Sequence, residues 1–104
     1  MPRIVIACYR PKPGHEAALL AELRTHVPIL QGLKLATSRA PIHMGASDGS
    51  LLEVFEWASA EAIQRAHHDP TVLAMWQRFG AICDHVSLNT LTEAAQMFAE
   101  FEPL

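Results

Sequence analysis

Positions 53–57 carry the sequence Glu-Val-Phe-Glu-Trp, and two amphipathic runs then continue to Cys83. A short segment rich in β-branched and aromatic residues is typical of a β-strand. Ser59 is a good helix N-cap, and a second helix can begin at Asp69 with Pro70 in its first position, where no N–H group is needed. This stretch therefore predicts a strand that leads into a helix divided into two parts.

The second part of this helix has one continuous apolar face. Its apolar residues recur at helical spacing and are Val72, Met75, Trp76, Phe79 and Cys83. A stripe of this kind is expected to pack against the rest of the fold. His67 and His68 lie at the break between the two parts. We expect any ligand pocket to lie beneath this helix.

The first third of the chain predicts a strand followed by a long helix. Positions 3–9 form a short apolar run bounded by prolines, which is typical of a strand. From His15 onward apolar residues recur at helical spacing, and the stripe continues past Pro28 towards Gly32, a residue type that often ends helices. We therefore expect a helix that is kinked, and not ended, at the proline.

The middle and the end of the chain predict the remaining strands. Positions 33–44 are extended, and the turn signal Ser-Asp-Gly-Ser at 47–50 joins them to the strand at 51–57. Positions 84–90 are polar and ambiguous. Residues 96–102 alternate loosely between apolar and polar and predict a closing strand, although Ala, Glu and Met equally favour a helix.

These elements follow one another as β-α-β-β-α-β, which predicts one α+β domain over residues 1–104 with a ferredoxin-like arrangement. Four strands would form an antiparallel sheet with two helices on one face. Apolar side chains occupy both faces of the strands, so the other face should be covered as well. A second copy of the chain is the simplest cover, and we expect a homodimer packed sheet to sheet.

Composition narrows the classes of function. The 104 residues have a formal net charge of −3 and no basic run, so nucleic acid is not an expected partner. No apolar segment reaches the roughly 18 residues of a membrane helix, and no membrane partner is expected. Two cysteines, Cys8 and Cys83, make no disulfide framework, which favours a reducing, cytoplasmic location.

Three stretches resemble a known group of proteins. They are Leu-Glu-Val-Phe-Glu-Trp at 52–57, Ala-His-x-x-Pro-x-Val-x-x-x-Trp at 66–76, and Phe-Ala-Glu-Phe-Glu at 98–102. In these stretches and in element order the chain resembles the dimeric α+β barrel superfamily. It is similar there to antibiotic-biosynthesis monooxygenases and stress-responsive barrel proteins. For an oxygenase the resemblance implies a reaction without a cofactor, in which the substrate anion passes an electron to dioxygen.

The resemblance and the residue chemistry together assign roles to five side chains. His67 is the expected catalytic base, because imidazole titrates near neutral pH. Arg39 would orient the substrate, and Tyr9 would lie at the pocket mouth. Trp57 and Trp76 would form the walls around a small aromatic or polyketide-like substrate. The structural alternatives are an imidazole that stabilises a helix end and tryptophans that belong to the core.

The two strands of the hairpin carry further polar residues. Arg39, His43 and Glu53 lie on these strands. Arg39 and Glu53 are 9 and 4 residues from the turn at 48–49, so these two need not pair directly. If their face of the sheet points into a cavity, the arginine can hold an anionic group of a substrate. A solvated or ion-paired sheet face is the structural alternative.

Other functions stay open on the sequence alone. A non-catalytic dimer that binds a small molecule or responds to stress needs only the apolar walls. Heme binding is a further alternative, since heme-degrading members of the superfamily place a tryptophan and an axial histidine on this helix, and Trp76 and His85 are similarly spaced. Those members also use an asparagine on the first strand, which this chain lacks. Six histidines occur without metal-site spacing, so neither a metal nor another cofactor is expected.

Overall fold

The computed structural model describes residues 1–104 and has an α+β fold, with three α-helices and one five-stranded antiparallel sheet. In chain order the elements are β1 (Arg3–Pro11), α1 (Glu16–Gly32), β2 (Ile42–Gly45), β3 (Leu51–Trp57), α2 (Ala60–Ala66), α3 (Pro70–Ile82), β4 (Cys83–Val86) and β5 (Glu102–Pro103). Two short 3₁₀ turns, Leu88–Thr90 and Thr92–Ala95, lie between β4 and β5. The strand order in the sheet is β4-β1-β3-β2-β5. No helix is both long enough and apolar enough to cross a bilayer.

The two central strands present one face to the helices. β1 and β3 pair so that Val5 lies opposite Phe55 and Tyr9 lies opposite Leu51. Because side chains alternate between the two faces of a strand, these residues share one face. There they pack with buried residues of α1, α2 and α3 in the main core. All three helices therefore lie on the same side of the sheet.

The helices begin and end where local signals indicate. α1 buries an apolar stripe that consists of Leu19, Leu23, Val27 and Leu30, together with His26. The helix continues past Pro28, which is exposed. The predicted break in the second helix is confirmed, because α2 ends at Ala66 and α3 begins at Pro70. Asp69 caps α3, since its Oδ1 accepts hydrogen bonds from two backbone N–H groups of the first turn, at 2.8 and 3.1 Å.

The predicted hairpin turn at 47–50 is confirmed. Gly49 has a φ of +91°, a conformation that residues with a Cβ rarely adopt. Asp48 accepts a hydrogen bond at 2.8 Å from the backbone N–H two residues later. The hairpin sets the register of β2 on β3, which places His43 opposite Glu53 on the face that carries the helices.

The last strands differ from the sequence prediction. Residues 96–101 form no strand, so the closing strand predicted at 96–102 is wrong. The position beside β1 is taken by β4, which follows α3 directly and carries the polar residues Asp84 and His85. Such polarity is common on an edge strand, because one side of it meets water. The short β5 pairs with β2 at the other end of the sheet, which therefore has five strands and not the expected four.

The face of the sheet away from the helices is covered at one end only. There Cys8 and Leu52 are buried beneath Leu91 and Phe101 of the C-terminal segment. The uncovered end, here called the open half-face, consists of Ile4 (61% exposed), Ile6 (50%), Ile42 (58%) and the half-buried Val54. The chain thus supplies part of the cover that was expected from a second copy.

Candidate functional site

A pocket of about 200 Å³ opens between the sheet and the helices α1 and α3. Its lining comes from five elements and consists of Val5, Ala7, Tyr9, His26, Phe55, Trp57, Trp76, Phe79 and His85. Seven of these nine residues are hydrophobic, so apolar contact would dominate the binding of a ligand. The two histidines add the only lining side chains of a type that titrates near neutral pH.

Two larger depressions have a different character. One, of about 560 Å³, lies beside the hairpin turn and is lined mainly by carboxylates and turn residues. The other, of about 550 Å³, lies between α1 and α3 and is lined by small side chains and the ion pair of Glu22 with Arg78. Neither combines an aromatic wall with an imidazole, so the smaller pocket is the better candidate for a functional site.

The pocket walls are aromatic rings in mutual contact. Tyr9 stacks on Phe79 with ring centroids 5.3 Å apart, and Phe55 lies 5.2 Å from Trp57. The ring of His26 meets Phe55 edge-on at 5.4 Å. Stacked and edge-on contacts of this kind favour particular ring orientations, so the walls give the pocket a defined shape.

A fully buried carboxylate lies behind the pocket. Glu53 on β3 is 0% exposed, and three side chains contact its two oxygens. Its Oε1 lies 2.7 Å from Nδ1 of His26 and accepts a hydrogen bond from the Tyr9 hydroxyl at 3.2 Å, while its Oε2 lies 2.8 Å from Nε2 of His43. Hydrogen bonds of this kind offset the desolvation cost of burying a carboxylate. No group of three or more His, Cys, Asp or Glu side chains is placed to hold a metal ion.

The second contact of His26 determines its tautomer. Nε1 of Trp76 lies 3.2 Å from Nε2 of His26, and an indole N–H can only donate. Nε2 must therefore carry a lone pair, which leaves the ring proton on Nδ1, where it is donated to Glu53. His26 is thus a neutral imidazole that connects Trp76 on α3 to Glu53 on β3.

Tyr9 stays a protonated phenol at physiological pH. Burial first, and then the negative charge of Glu53, raise the pKa of Tyr9 far above its usual range. Its hydroxyl therefore acts as a donor to the carboxylate and does not supply a phenolate base.

His85 is the lining imidazole without a hydrogen-bond partner in the chain. It lies opposite Tyr9 in the pairing of β4 with β1, and the two ring centroids are 5.1 Å apart. His85 is exposed, and the burial of part of its ring lowers its pKa, whereas the nearby Asp84 acts in the opposite direction. At pH 7 the imidazole is therefore neutral and can accept a proton from a molecule in the pocket.

Three predicted site residues, Tyr9, Trp57 and Trp76, come together in the pocket lining. His67 does not join them. It is exposed at the end of α2, where its Nδ1 lies 2.8 Å from the backbone oxygen of Ile63 and its ring lies edge-on to Trp76 at 5.1 Å. The imidazole contacts a carbonyl group of the last turn of α2 and so stabilises the helix end. The expected place of His67 in the pocket is therefore corrected.

Arg39 also lies away from the pocket. Its exposed guanidinium has Nε 3.4 Å from Oε1 of Glu56. Glu56 follows Phe55 on β3, so its side chain points to the opposite face of the sheet. Arg39 itself lies in the loop before β2 and not on a strand, so both its expected strand position and its expected placement against a ligand are corrected.

The sequence does not predict the buried contacts of Glu53 with His26, Tyr9 and His43. A signal for His26 existed, because it falls within the buried stripe of α1, next to Val27. A polar residue in such a stripe needs a buried partner. The partner, Glu53, lies 27 residues further along the chain, and no local pattern connects the two.

Comparisons with family models, with curated proteins and with solved structures find no match for this chain. Its function is therefore inferred from the geometry of the pocket.

Proposed function

We propose that this protein binds a small hydroxylated aromatic molecule beneath α3 and removes a proton from it, as a cofactor-independent monooxygenase. One observation carries the proposal: an aromatic-lined pocket contains a neutral imidazole, His85, that has no hydrogen-bond partner in the chain. Aromatic walls favour a flat ring, and a neutral imidazole accepts a proton at pH 7.

The volume of the pocket favours a ligand of one or two rings. An apolar cavity of about 150 Å³ is enough to hold benzene. This pocket measures about 200 Å³, whereas typical ligand pockets begin near 300 Å³. The heme alternative therefore has little support, although Trp76 and His85 both line the pocket.

The reaction needs dioxygen as its only co-substrate. The imidazole of His85 takes the proton of a phenolic O–H group, and the electron-rich anion then reduces dioxygen. A ring C–H bond is broken and a C=O bond is formed, so that one oxygen atom enters the product. The other oxygen atom leaves as water, and a phenol thereby becomes a quinone.

A non-catalytic binding protein is the second candidate. The polar groups of Tyr9, His26 and Glu53 are bonded to one another, which is what a purely structural polar core requires. Binding without turnover needs only the aromatic walls. Under this alternative, His85 would hold the ligand through a hydrogen bond and would transfer no proton.

We further propose that the fold is ferredoxin-like and that two copies form a dimeric α+β barrel in the cytoplasm. The sheet order β4-β1-β3-β2, with β5 added at one edge, supports the fold assignment. The open half-face supports the dimer, because Ile6, Val54 and Ile42 lie side by side across three strands. The two cysteines are free and buried, which is compatible with a reducing compartment.

Oxygen uptake tests the proposed reaction. The protein is mixed with a panel of hydroquinones and naphthols, and isotopically labelled dioxygen is traced into the product by mass spectrometry. His85→Ala should lower turnover about 100-fold or more, the usual contribution of a general base, and should leave ligand binding largely intact. His68→Ala, at an exposed histidine outside the pocket, should change neither.

Two results would count against the proposal in different ways. Full turnover by His85→Ala would contradict the assignment of the base. Binding of ring compounds without oxygen uptake by the unaltered protein would favour the binding-protein alternative.

A further inference from the structure

We infer that Glu53 makes the pocket selective for ligand charge, so that it accepts neutral hydroxylated rings and disfavours rings that carry a carboxylate or sulfonate. This inference deepens the proposed function and rests on it. Its starting point is a charge imbalance: no lysine or arginine is among the lining residues, whereas a fully buried carboxylate lies directly behind them.

No cationic side chain of the pocket neutralises this carboxylate. His26, which contacts Oε1 of Glu53, is neutral because its other nitrogen accepts the indole hydrogen bond of Trp76. Tyr9, the second partner of Oε1, is a phenol. The third partner, His43, contacts the other oxygen and does not line the pocket. On the side of the ligand, the negative charge therefore has only neutral neighbours.

The charge lies close enough to affect a ligand. His26 and Tyr9 touch both the carboxylate and the pocket, so a ligand is separated from Glu53 by a single side chain. Two like unit charges about 7 Å apart, at an effective dielectric constant of about 20, change a binding constant roughly fiftyfold. A permanently anionic ring should therefore bind much more weakly than a neutral ring of the same size.

Proton transfer within the pocket is not opposed in the same way. When a neutral phenol gives its proton to His85, the phenolate and the imidazolium together carry no net charge. The selectivity therefore acts on the ligand as it enters the pocket. The neutral imidazole of His85 has a nitrogen lone pair that favours a ligand with an O–H donor.

Three rings of nearly equal size test the inference: a dihydroxybenzamide, the corresponding dihydroxybenzoate and the corresponding dihydroxybenzylamine, each titrated by calorimetry in mildly alkaline buffer. We expect the amide to bind at least about tenfold more tightly than the carboxylate, and the ammonium compound to bind at least as tightly as the amide. Glu53→Gln keeps an oxygen acceptor and removes the charge, so the ratio of amide to carboxylate affinity should fall to about threefold or less.

Asp84→Asn is the matched control, because it removes an exposed carboxylate from the residue next to His85 and should leave the ratio unchanged. Equal affinity of the unaltered protein for amide and carboxylate, or an unchanged ratio in Glu53→Gln, overturns the inference and leaves the proposed function standing. If none of the three rings binds, the proposed function itself fails. If Glu53→Gln does not fold, the affinities of the unaltered protein for the three rings are the test. A carboxylate that binds as tightly as the ammonium compound then overturns the inference.

Discussion

Trp76 on α3 donates its indole N–H to Nε2 of His26 on α1, 3.2 Å away and 50 residues earlier in the chain. His26 in turn contacts Glu53 on β3 at 2.7 Å. One hydrogen-bonded path therefore joins the two longest helices to the central sheet through the wall of the pocket. A change in any of these three side chains should affect both the stability of the fold and the shape of the pocket.

The tautomer of His26 can be observed directly. Because Trp76 can only donate, we expect nitrogen NMR of histidine-labelled protein at neutral pH to show the ring proton on Nδ1 and an unprotonated Nε2. The exposed His15 and His68 serve as controls in the same spectrum and should show exchange between forms. A proton on Nε2 of His26 would contradict the connected path.

Loss of the buried carboxylate should be costly. Glu53→Leu leaves the donors of Tyr9 and His26 buried without a partner, and each such group costs about 1–3 kcal/mol. We expect the free energy of unfolding to fall by about 2–6 kcal/mol, which is the cost for these two donors together. Urea unfolding followed by circular dichroism measures the change.

Glu56→Leu, three residues further along the same strand, is the comparison for this prediction. Its partners are the well-exposed Arg39 and the half-buried hydroxyl of Thr37, neither of which is fully buried, so the loss should be clearly smaller. Equal losses in the two variants would mean that the contacts of Glu53 are not the source of the effect.

Local sequence patterns were sufficient for most of the helices and for the central strands. The strand at 51–57, the helix past Pro28 and the break before Pro70 each depend on residues close to one another in the chain. β4 could not be found in this way, because Asp84 and His85 give it no apolar pattern and its strand conformation comes from pairing with β1.

The pocket walls were easier to predict than the polar groups behind them. The size and spacing of Trp57 and Trp76 predict pocket walls, and both residues line the pocket. The chemistry of His67 and Arg39 suits a site, but His67 lies at the end of α2 and Arg39 pairs with Glu56, so neither reaches the pocket. The contacts of Glu53 depend on strand register and on the packing of α1 against the sheet, which no local pattern contains.

His85 should make the protein less stable in mild acid. Because folding lowers the pKa of this residue, the unfolded chain binds the proton at higher pH than the folded chain does. Between the ordinary histidine pKa of about 6.5 and the lower folded value, the unfolded state holds more protons, so the free energy of unfolding falls as the pH decreases. His85→Gln should remove this part of the pH dependence.

Urea midpoints measured from neutral to mildly acidic pH test this prediction, with His68→Gln, at a histidine outside the pocket, as the control. Asp48 and Glu93, whose pKa values are lowered by hydrogen bonds from backbone N–H groups, contribute only at more acidic pH. If His85→Gln lost stability with falling pH as steeply as the unaltered protein, the lowered pKa of His85 would not be the cause.

The open half-face should hold two copies of the chain together. Ile6→Glu places a charge in the middle of this apolar surface, so we expect size-exclusion chromatography with light scattering to show a dimer for the unaltered protein and a monomer for the variant.

Leu73→Glu is the matched control, because Leu73 is 46% exposed, close to the 50% of Ile6, but lies on α3 and away from this face. A monomeric unaltered protein, or a dimer that survives Ile6→Glu and Ile42→Glu, would contradict the assignment. Because the pocket lies on the other side of the sheet, the monomeric variant should keep its affinity for ring compounds, and a loss of affinity would show that the second copy contributes to the site.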